Sequence, residues 1–282
     1  MYRKNSSLPW LGLARVAVLA AFTSGATLPS LLAQATTAAP QATTAAPQAT
    51  TAAPQPAKPA THAGEYLSQH DHELAVDFGS LERYKAADAA LGAPAADEKR
   101  VVFMGDSITD AWKISGPDGS FPGKPYINRG ISGQTTPQML VRFRQDVIDL
   151  KPSVVAILAG TNDLAGNTGP MTLEQTEENL ASMADLATAN GIQVVLCSIL
   201  PAFDYPWSPG LEPAPKIATL NQWIRSYAAQ KDYIYVDYYS AMVDSRGGLP
   251  PALSKDGVHP LPAGYAIMAP LVEAGIEQAL KK

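Results

Sequence analysis

The sequence contains a single cysteine, Cys197, which excludes an intrachain disulfide and any cysteine-rich zinc site. It also lacks acidic residues over its first 64 positions, although four basic residues lie there. Residues 64–282 therefore carry 17 of the 21 basic residues and all 26 acidic ones, a net charge of −9. Because nucleic-acid affinity depends on Lys and Arg contacts to phosphates, this balance argues against DNA or RNA as a partner.

The apolar run near the N terminus, residues 16–22, is too short to span a bilayer. Basic residues precede it, and small residues lead from it to Ala33-Gln34-Ala35, which is the order of a secretory signal. We therefore expect a signal peptide over residues 1–35, cleavage after Ala35, and an exported protein (periplasmic or extracellular) without a stable membrane span. An uncleaved amphipathic anchor is the alternative. A lipid anchor on an N-terminal cysteine is excluded, because no cysteine precedes Cys197.

The next segment, residues 36–63, has the composition of a linker. The heptapeptide ATTAAPQ occurs three times in tandem, starting at Ala35. A coiled coil is not indicated, because the repeat has no bulky apolar position and contains a proline, which breaks helices. The segment is expected to be an extended Ala/Thr/Pro-rich linker, which leaves residues 64–282 as the folded unit.

The folded unit alternates two kinds of pattern. Five short apolar segments predict strands, at 100–105, 126–129, 153–159, 192–199 and 233–237. Helical patterns lie at about 66–91, 135–150, 172–190, 215–230 and 263–280, and Gly191 is typical of a helix end. The alternation predicts a three-layer α/β/α sandwich around a flavodoxin-like parallel sheet of order 2-1-3-4-5. Functional residues should then follow the carboxyl ends of the strands.

Several motifs of other enzyme classes are missing. Neither G-x-x-x-x-G-K-[ST] nor G-x-G-x-x-G occurs, so no nucleotide cofactor is predicted. The His70-Asp71-His72 triplet lacks further ligands at a suitable spacing, so no metal site is predicted. The absence of G-x-S-x-G argues against the lipase-like α/β-hydrolase fold.

Four polar blocks lie after predicted strands or near the C terminus: GDSITD (105–110), NRGISG (128–133), GTND (160–163) and DGVHP (256–260). In residue types and order they resemble the SGNH, or GDSL-type, serine hydrolases, over about residues 100–265. The resemblance implies the SGNH variant of the α/β/α fold and hydrolysis of carboxylic esters without a cofactor. It extends to members that look like acetylhydrolases and lysophospholipases.

The resemblance also implies a catalytic triad. Ser107 would be the nucleophile, with Asp256 and His259 as its partners. The residues themselves are compatible with this, because the three-residue spacing lets one turn present both the carboxylate and the imidazole. Taken alone, Ser107 could instead form a helix capping box with Asp110.

An ester hydrolase also needs hydrogen-bond donors for the oxyanion. By the same resemblance these are the N–H groups of Ser107 and Gly133 and the side-chain amide of Asn162. Gly133 has no side chain to block a close approach. Outside this pattern, Gly133 and Asn162 would be read as ordinary turn residues.

Substrate contacts are expected from the segment after strand 4, residues 200–210, which carries three prolines and three aromatic residues. We expect Trp207 to bind substrate there, although the aromatic residues could instead only pack the loop. Short-acyl esters of the acetyl type, on a small molecule or a glycan, are the expected substrates. Three alternatives stay open: a lysophospholipase or thioesterase for longer chains, acyl transfer to a sugar hydroxyl, and a secreted binding module without turnover.

Overall fold

The computed structural model describes residues 71–282; the predicted signal peptide and linker lie outside them. One sheet contains the strands β1 (Val101–Gly105), β2 (Tyr126–Gly130), β3 (Val154–Leu158), β4 (Gln193–Cys197) and β5 (Ile234–Val236). All neighbouring strands are parallel, and their order is β2-β1-β3-β4-β5. The predicted fold class and strand order are therefore confirmed.

Helices connect the strands in the expected alternation. They are α1 (Glu82–Leu91), α2 (Ser107–Asp110), α3 (Thr136–Asp146), α4 (Thr161–Ala165), α5 (Leu173–Ala189), α6 (Pro213–Lys231), α7 (Tyr238–Met242) and α8 (Pro262–Ala279). The helical pattern at 135–150 is divided, because α3 ends before Val147 and Ile148–Leu150 forms a 3-10 turn.

The expectation of one helical stretch over about 66–91 is wrong within the described residues. Residues 71–76 are helical, but a break separates them from α1. In the break, the Asp77 carboxylate accepts hydrogen bonds from the N–H groups of Leu81 and Glu82, and Ser80 adopts a left-handed φ of 53°. Asp77 thus satisfies N–H groups at the start of α1 that a helix leaves unpaired.

Hydrophobic residues cover both faces of the sheet. Val102 and Met104 of β1 belong to a cluster with residues of α3, α5 and α6, whereas Val101 and Phe103 pack on the opposite face with α8. This division follows from the strand period of two, which sends successive side chains to opposite faces. All five residues of β1 are buried, as expected for a strand covered by helices on both faces.

Glycines at the carboxyl ends of β1 and β2 let α2 approach the sheet closely. A Cβ atom on Gly105 would lie 2.1 Å from the Thr109 hydroxyl, and one on Gly130 would lie 2.1 Å from the Asp110 nitrogen. Gly105 is also paired in register with Gly130 and with Leu158 of β3. The loops after β1, β2 and β3 therefore meet at one edge of the sheet.

Candidate active site

Ser107 is the first residue of α2 and directly follows β1. The helix cap is Asp106, whose carboxylate accepts a hydrogen bond of 2.9 Å from the Ile108 N–H. The capping-box alternative for Ser107 is therefore wrong. The hydroxyl of Ser107 instead lies 2.9 Å from Nε2 of His259.

His259 is held by Asp256. Its Nδ1 lies 2.6 Å from Asp256 Oδ2. Partial burial would raise the pKa of Asp256, but hydrogen bonds from the His259 N–H and ring, the Val258 N–H and the Ser254 hydroxyl hold that pKa well below its usual value. An ionised carboxylate can only accept, so Nδ1 carries a proton, and in the neutral form of the ring the lone pair of Nε2 faces Ser107.

Asn162 lies in α4, after β3, with its side chain almost fully buried. Its Nδ2 donates to the Gln134 carbonyl at 3.0 Å, and its Oδ1 accepts from Asn167 Nδ2 at 3.0 Å. Asn167 Nδ2 also donates to the Gly133 carbonyl at 3.1 Å. These bonds bring Gly133 and Asn162 together, and among residues 71–282 the second N–H of the Asn162 amide has no partner.

The loop after β4 contributes both buried and exposed aromatic rings. Tyr205 is fully buried and its hydroxyl lies 2.9 Å from that of Thr161, so this ring packs the loop down. Trp207 stacks on Tyr205 at 5.2 Å between ring centroids, yet it is 45% exposed. The centroid of the Trp207 ring lies 6.0 Å from that of His259, and its Nε1 donates to Asn167 Oδ1 at 3.2 Å.

Two cavities lie at different distances from these residues. One of about 260 Å³ adjoins the loop after β4 and Asp256, and Phe203, Pro206 and Arg246 help to line it. The other, of about 620 Å³, is lined by residues of α1, β2 and the segment after α2, and it touches none of the predicted site residues. Of the predicted site residues the smaller cavity touches only Asp256, on the side of the His259–Asp256 pair away from Ser107 Oγ in the order of contacts, and its lining includes neither Ser107 nor the proposed oxyanion donors.

Two buried carboxyl groups support the loops around Ser107. Burial raises the pKa of Asp106 to about 7 and that of Asp163 to about 6. Asp163 accepts hydrogen bonds from the N–H and hydroxyl of Thr136, at the start of α3. Asp163 thus links the segment after β3 to the start of α3.

Sequence reasoning missed three residues that hold the site together. Asn167 forms hydrogen bonds with Asn162, Gly133 and Trp207. The Ser254 hydroxyl donates to Asp256 at 3.0 Å, and the Gln134 carbonyl accepts a hydrogen bond from the Asn162 amide. Their only sequence signal is proximity to the four polar blocks, since each forms contacts that depend on the folded chain.

Residues 71–282 include no group of three or more His, Cys, Asp or Glu side chains placed to hold a metal ion. The same part of the chain has no helix that is long and apolar enough to cross a membrane.

Comparison with known families bears on this arrangement. A family model described as GDSL-like Lipase/Acylhydrolase matches residues 103–267, more than half of the chain. The chain belongs to the GDSL-like lipase/acylhydrolase family. The match covers all four polar blocks from Gly105 to Pro260, and it confirms the resemblance identified from the sequence.

Individual relatives of this GDSL-like chain agree with the family. It is 28% identical over 202 residues to an acetylxylan esterase of Geobacillus stearothermophilus, covering 61% of this chain and 90% of that protein. It is 30% identical over 177 residues to the esterase TesA of Pseudomonas aeruginosa, covering 58% and 81%. A GDSL-like lipase structure from Bacteroides thetaiotaomicron is 49% identical, with a TM-score of 0.69 over 72% of this chain and 99% of that one. The protein is therefore a carboxylic ester hydrolase.

Proposed function

We propose that the protein is a serine esterase that works through an acyl-enzyme, with Ser107, His259 and Asp256 as its triad. One observation carries the proposal: the Ser107 hydroxyl, the His259 ring and the Asp256 carboxylate form a continuous line of contacts of 2.9 and 2.6 Å. Nucleophile, base and orienting group within hydrogen-bond reach are the signature of nucleophilic catalysis.

In the proposed reaction, Nε2 of His259 takes the Ser107 proton while Oγ attacks the ester carbonyl. The ionised Asp256 stabilises the imidazolium that forms. His259 then donates its proton to the leaving alcohol, and the acyl group remains on Ser107. Water repeats the sequence, with His259 as base again, and releases the carboxylic acid.

The negative charge that develops on the carbonyl oxygen needs donors that are already in position. We assign this role to the N–H groups of Ser107 and Gly133 and to the Asn162 amide. Gly133 has a φ of 78°, and among residues 71–282 its N–H has no backbone or side-chain acceptor. The Asn162 amide is held at both ends, so it need not reorganise during the reaction.

The proposed substrates are short-acyl esters of the acetyl type, on a small molecule or a glycan. Trp207 supports this, because an exposed aromatic ring beside His259 offers a flat apolar surface to a substrate group. The relative named acetylxylan esterase points the same way. Hydrolysis of longer acyl chains, by a lysophospholipase or thioesterase activity, is the competing candidate.

A panel of p-nitrophenyl esters with acyl chains of increasing length tests the substrate proposal. We expect kcat/KM to be highest for acetate. A rise toward chains of about ten carbons, at roughly 0.8 kcal/mol per buried CH₂, would instead indicate an acyl tunnel and a lipid substrate. Repeating the assay with a sugar acceptor separates hydrolysis from acyl transfer, because transfer would give an acylated sugar.

We further propose that residues 1–35 are removed on export and that residues 36–63 link the mature N terminus to the catalytic unit. The order of basic, apolar and small residues supports the cleavage site after Ala35. N-terminal sequencing of the protein expressed in a bacterial host should find Thr36 on material outside the cytoplasm. Met1 on that material would contradict the proposal.

A further inference from the structure

Arg142 of α3 is an unusual residue to find without any exposure to solvent. Its side chain is 0% exposed and makes three hydrogen bonds. Nε donates to the side-chain oxygen of Gln134 at 2.6 Å, Nη1 to Asp146 at 2.9 Å, and Nη2 to the Gly105 carbonyl at 3.1 Å. A buried charge of this kind is costly unless it is paired, and here the Asp146 carboxylate supplies the opposite charge.

Two of these partners lie directly beside the proposed oxyanion donors. Gln134 follows Gly133 in the chain, and its carbonyl receives the Asn162 amide at 3.0 Å. Gly105 ends β1, two residues before Ser107. One guanidinium group therefore connects the loop that carries Ser107 to the loop that carries Gly133 and holds Asn162.

We propose that Arg142 is a positioning residue for the oxyanion hole, which sets the Ser107 loop and the Gly133–Gln134 loop at a fixed separation. The inference rests on the proposed serine-esterase function. Arg142 touches no substrate; it acts by holding the donors where the charge develops in the transition state. Donors placed in advance are effective because they cost no reorganisation at the moment of reaction.

The geometry requires arginine. A planar guanidinium presents several N–H donors in a rigid fork, and here the fork spans a side-chain oxygen, a carboxylate and a backbone carbonyl. A lysine ammonium keeps the positive charge next to Asp146 but is a single point that cannot bridge all three acceptors. Arg142→Lys therefore removes the bridge while it retains the charge balance of the interior.

Arg100 is a matched control. It directly precedes β1, whereas Gly105, which Arg142 contacts, is the last residue of that strand. Its side chain is 3% exposed, pairs with Glu98 at 2.7 Å and donates to the carbonyls of Gly92 and Leu150. Arg100→Lys should thus perturb the interior to a similar extent without reaching the site.

The test compares kcat and KM of the two variants for a p-nitrophenyl acetate substrate, at a temperature where circular dichroism shows both to be folded. We expect Arg142→Lys to lower kcat by up to about 10²-fold with KM changed by less than about threefold. Arg100→Lys should leave both constants within about twofold of the wild type. Equal kcat values for the two variants, or a loss confined to KM, would overturn the inference.

Gln134→Met provides a second route that leaves the Arg142–Asp146 ion pair in place should Arg142→Lys fail to fold. It should lower kcat in the same way. Where Arg142→Lys folds, the loss of kcat in the double variant should stay near the larger single loss, because both changes break the same contact between Arg142 and Gln134. Additive losses would refute the bridge. If instead Ser107→Ala retains turnover, the proposed function itself fails, whatever Arg142 does.

Discussion

The two ends of the sheet are built in different ways from the same strands. At the amino ends, backbone groups continue the pairing: the Ser153 N–H donates to the Arg100 carbonyl, and the Gln193 N–H donates to the Ser153 carbonyl. Gly191 closes α5 before β4 with a left-handed φ of 72°, and the Gly191 and Ile192 N–H groups bond back to the last turn. These connections need few particular side chains.

At the carboxyl ends, buried polar side chains are added to the backbone pairing, which continues there from the Ile131 N–H to the Gly105 carbonyl. They follow β1, β2 and β3, and they include Asp106, Gln134, Thr136, Asn162 and Asp163. Burying such groups is unfavourable unless each finds a partner, and here each accepts or donates at least one hydrogen bond. The amino end buries the charge of Arg100, but the carboxyl end collects the larger group of buried polar side chains, where fixed polar groups can serve a reaction.

The strongest test of this difference between the two ends of the sheet is to remove one hydroxyl group at each end. We expect Ser107→Ala to lower kcat by about 10⁴-fold or more, because the nucleophile is lost. Ser153→Ala, before β3 at the amino end, should leave activity unchanged. Ester hydrolysis and thermal unfolding measure both effects, and the melting temperature of Ser107→Ala should stay close to that of the wild type. Turnover by Ser107→Ala at a few per cent would remove Ser107 from the mechanism.

Two asparagine side chains, one at each end of the sheet, should give the next largest difference in kcat. Asn162→Ala should lower kcat by roughly 10²–10³-fold, the usual effect of losing one oxyanion donor, with a smaller change in KM. Asn190 is the cap residue at the end of α5, and its side-chain amide donates to the Leu186 carbonyl of the same helix. Asn190→Ala should therefore leave kcat unchanged in the same steady-state assay. A change limited to KM for Asn162→Ala would assign that amide to substrate binding instead.

Much of the fold could be predicted because its signals are local. The continuous apolar runs of β1 and β3 and the glycine after α5 each indicate their structure within a few residues. The break before α1 could not be predicted in the same way. It depends on Asp77 capping α1 and on the Gln138 side chain donating to the Phe78 carbonyl, a contact between residues 60 positions apart.

The candidate site likewise contains some residues that the sequence predicts and others that it does not. Ser107, Asn162, Asp256 and His259 occur in short motifs, and a motif identifies residues without any knowledge of their surroundings. The bridge from Arg142 to Gln134 and Gly105 has no motif, because its three elements meet only after the sheet has formed. The pattern of α3 alone would assign a charged residue such as Arg142 to its solvent-exposed face.

Stability should respond to pH through the buried carboxyl groups of the carboxyl end. Burial raises the pKa of Asp106 from 3.8 to about 7, so between these values the folded protein holds a proton that the unfolded chain has released. Stability should therefore fall as pH rises through this window, by up to about 1.4 kcal/mol per pH unit for one such group. Asp256 has the opposite sign: its lowered pKa gives a contribution to stability that is constant above about pH 4 and is lost as pH falls below that value.

The variant Asp106→Asn checks this dependence, because an amide keeps an oxygen for the Ile108 N–H but does not titrate. Its unfolding free energy, from urea titrations at pH 5 and pH 8, should change less between the two values than that of the wild type. Asp149→Asn, an exposed change before β3 at the amino end, should preserve the wild-type dependence. An identical pH dependence in all three proteins would show that Asp106 is ionised throughout.

The smallest effect is expected from the aromatic rings. Trp207 is exposed beside His259, whereas Trp223 of α6 stacks on Tyr227 at 4.8 Å between centroids and packs against the hydrophobic core. Trp207→Ala should lower kcat/KM about tenfold, which corresponds to ~1.4 kcal/mol of lost transition-state binding, with little change in melting temperature. Trp223→Ala should do the reverse, because it removes packing and no substrate contact. A fall in melting temperature without a fall in kcat/KM for Trp207→Ala would mean that this ring, like Tyr205, only packs its loop.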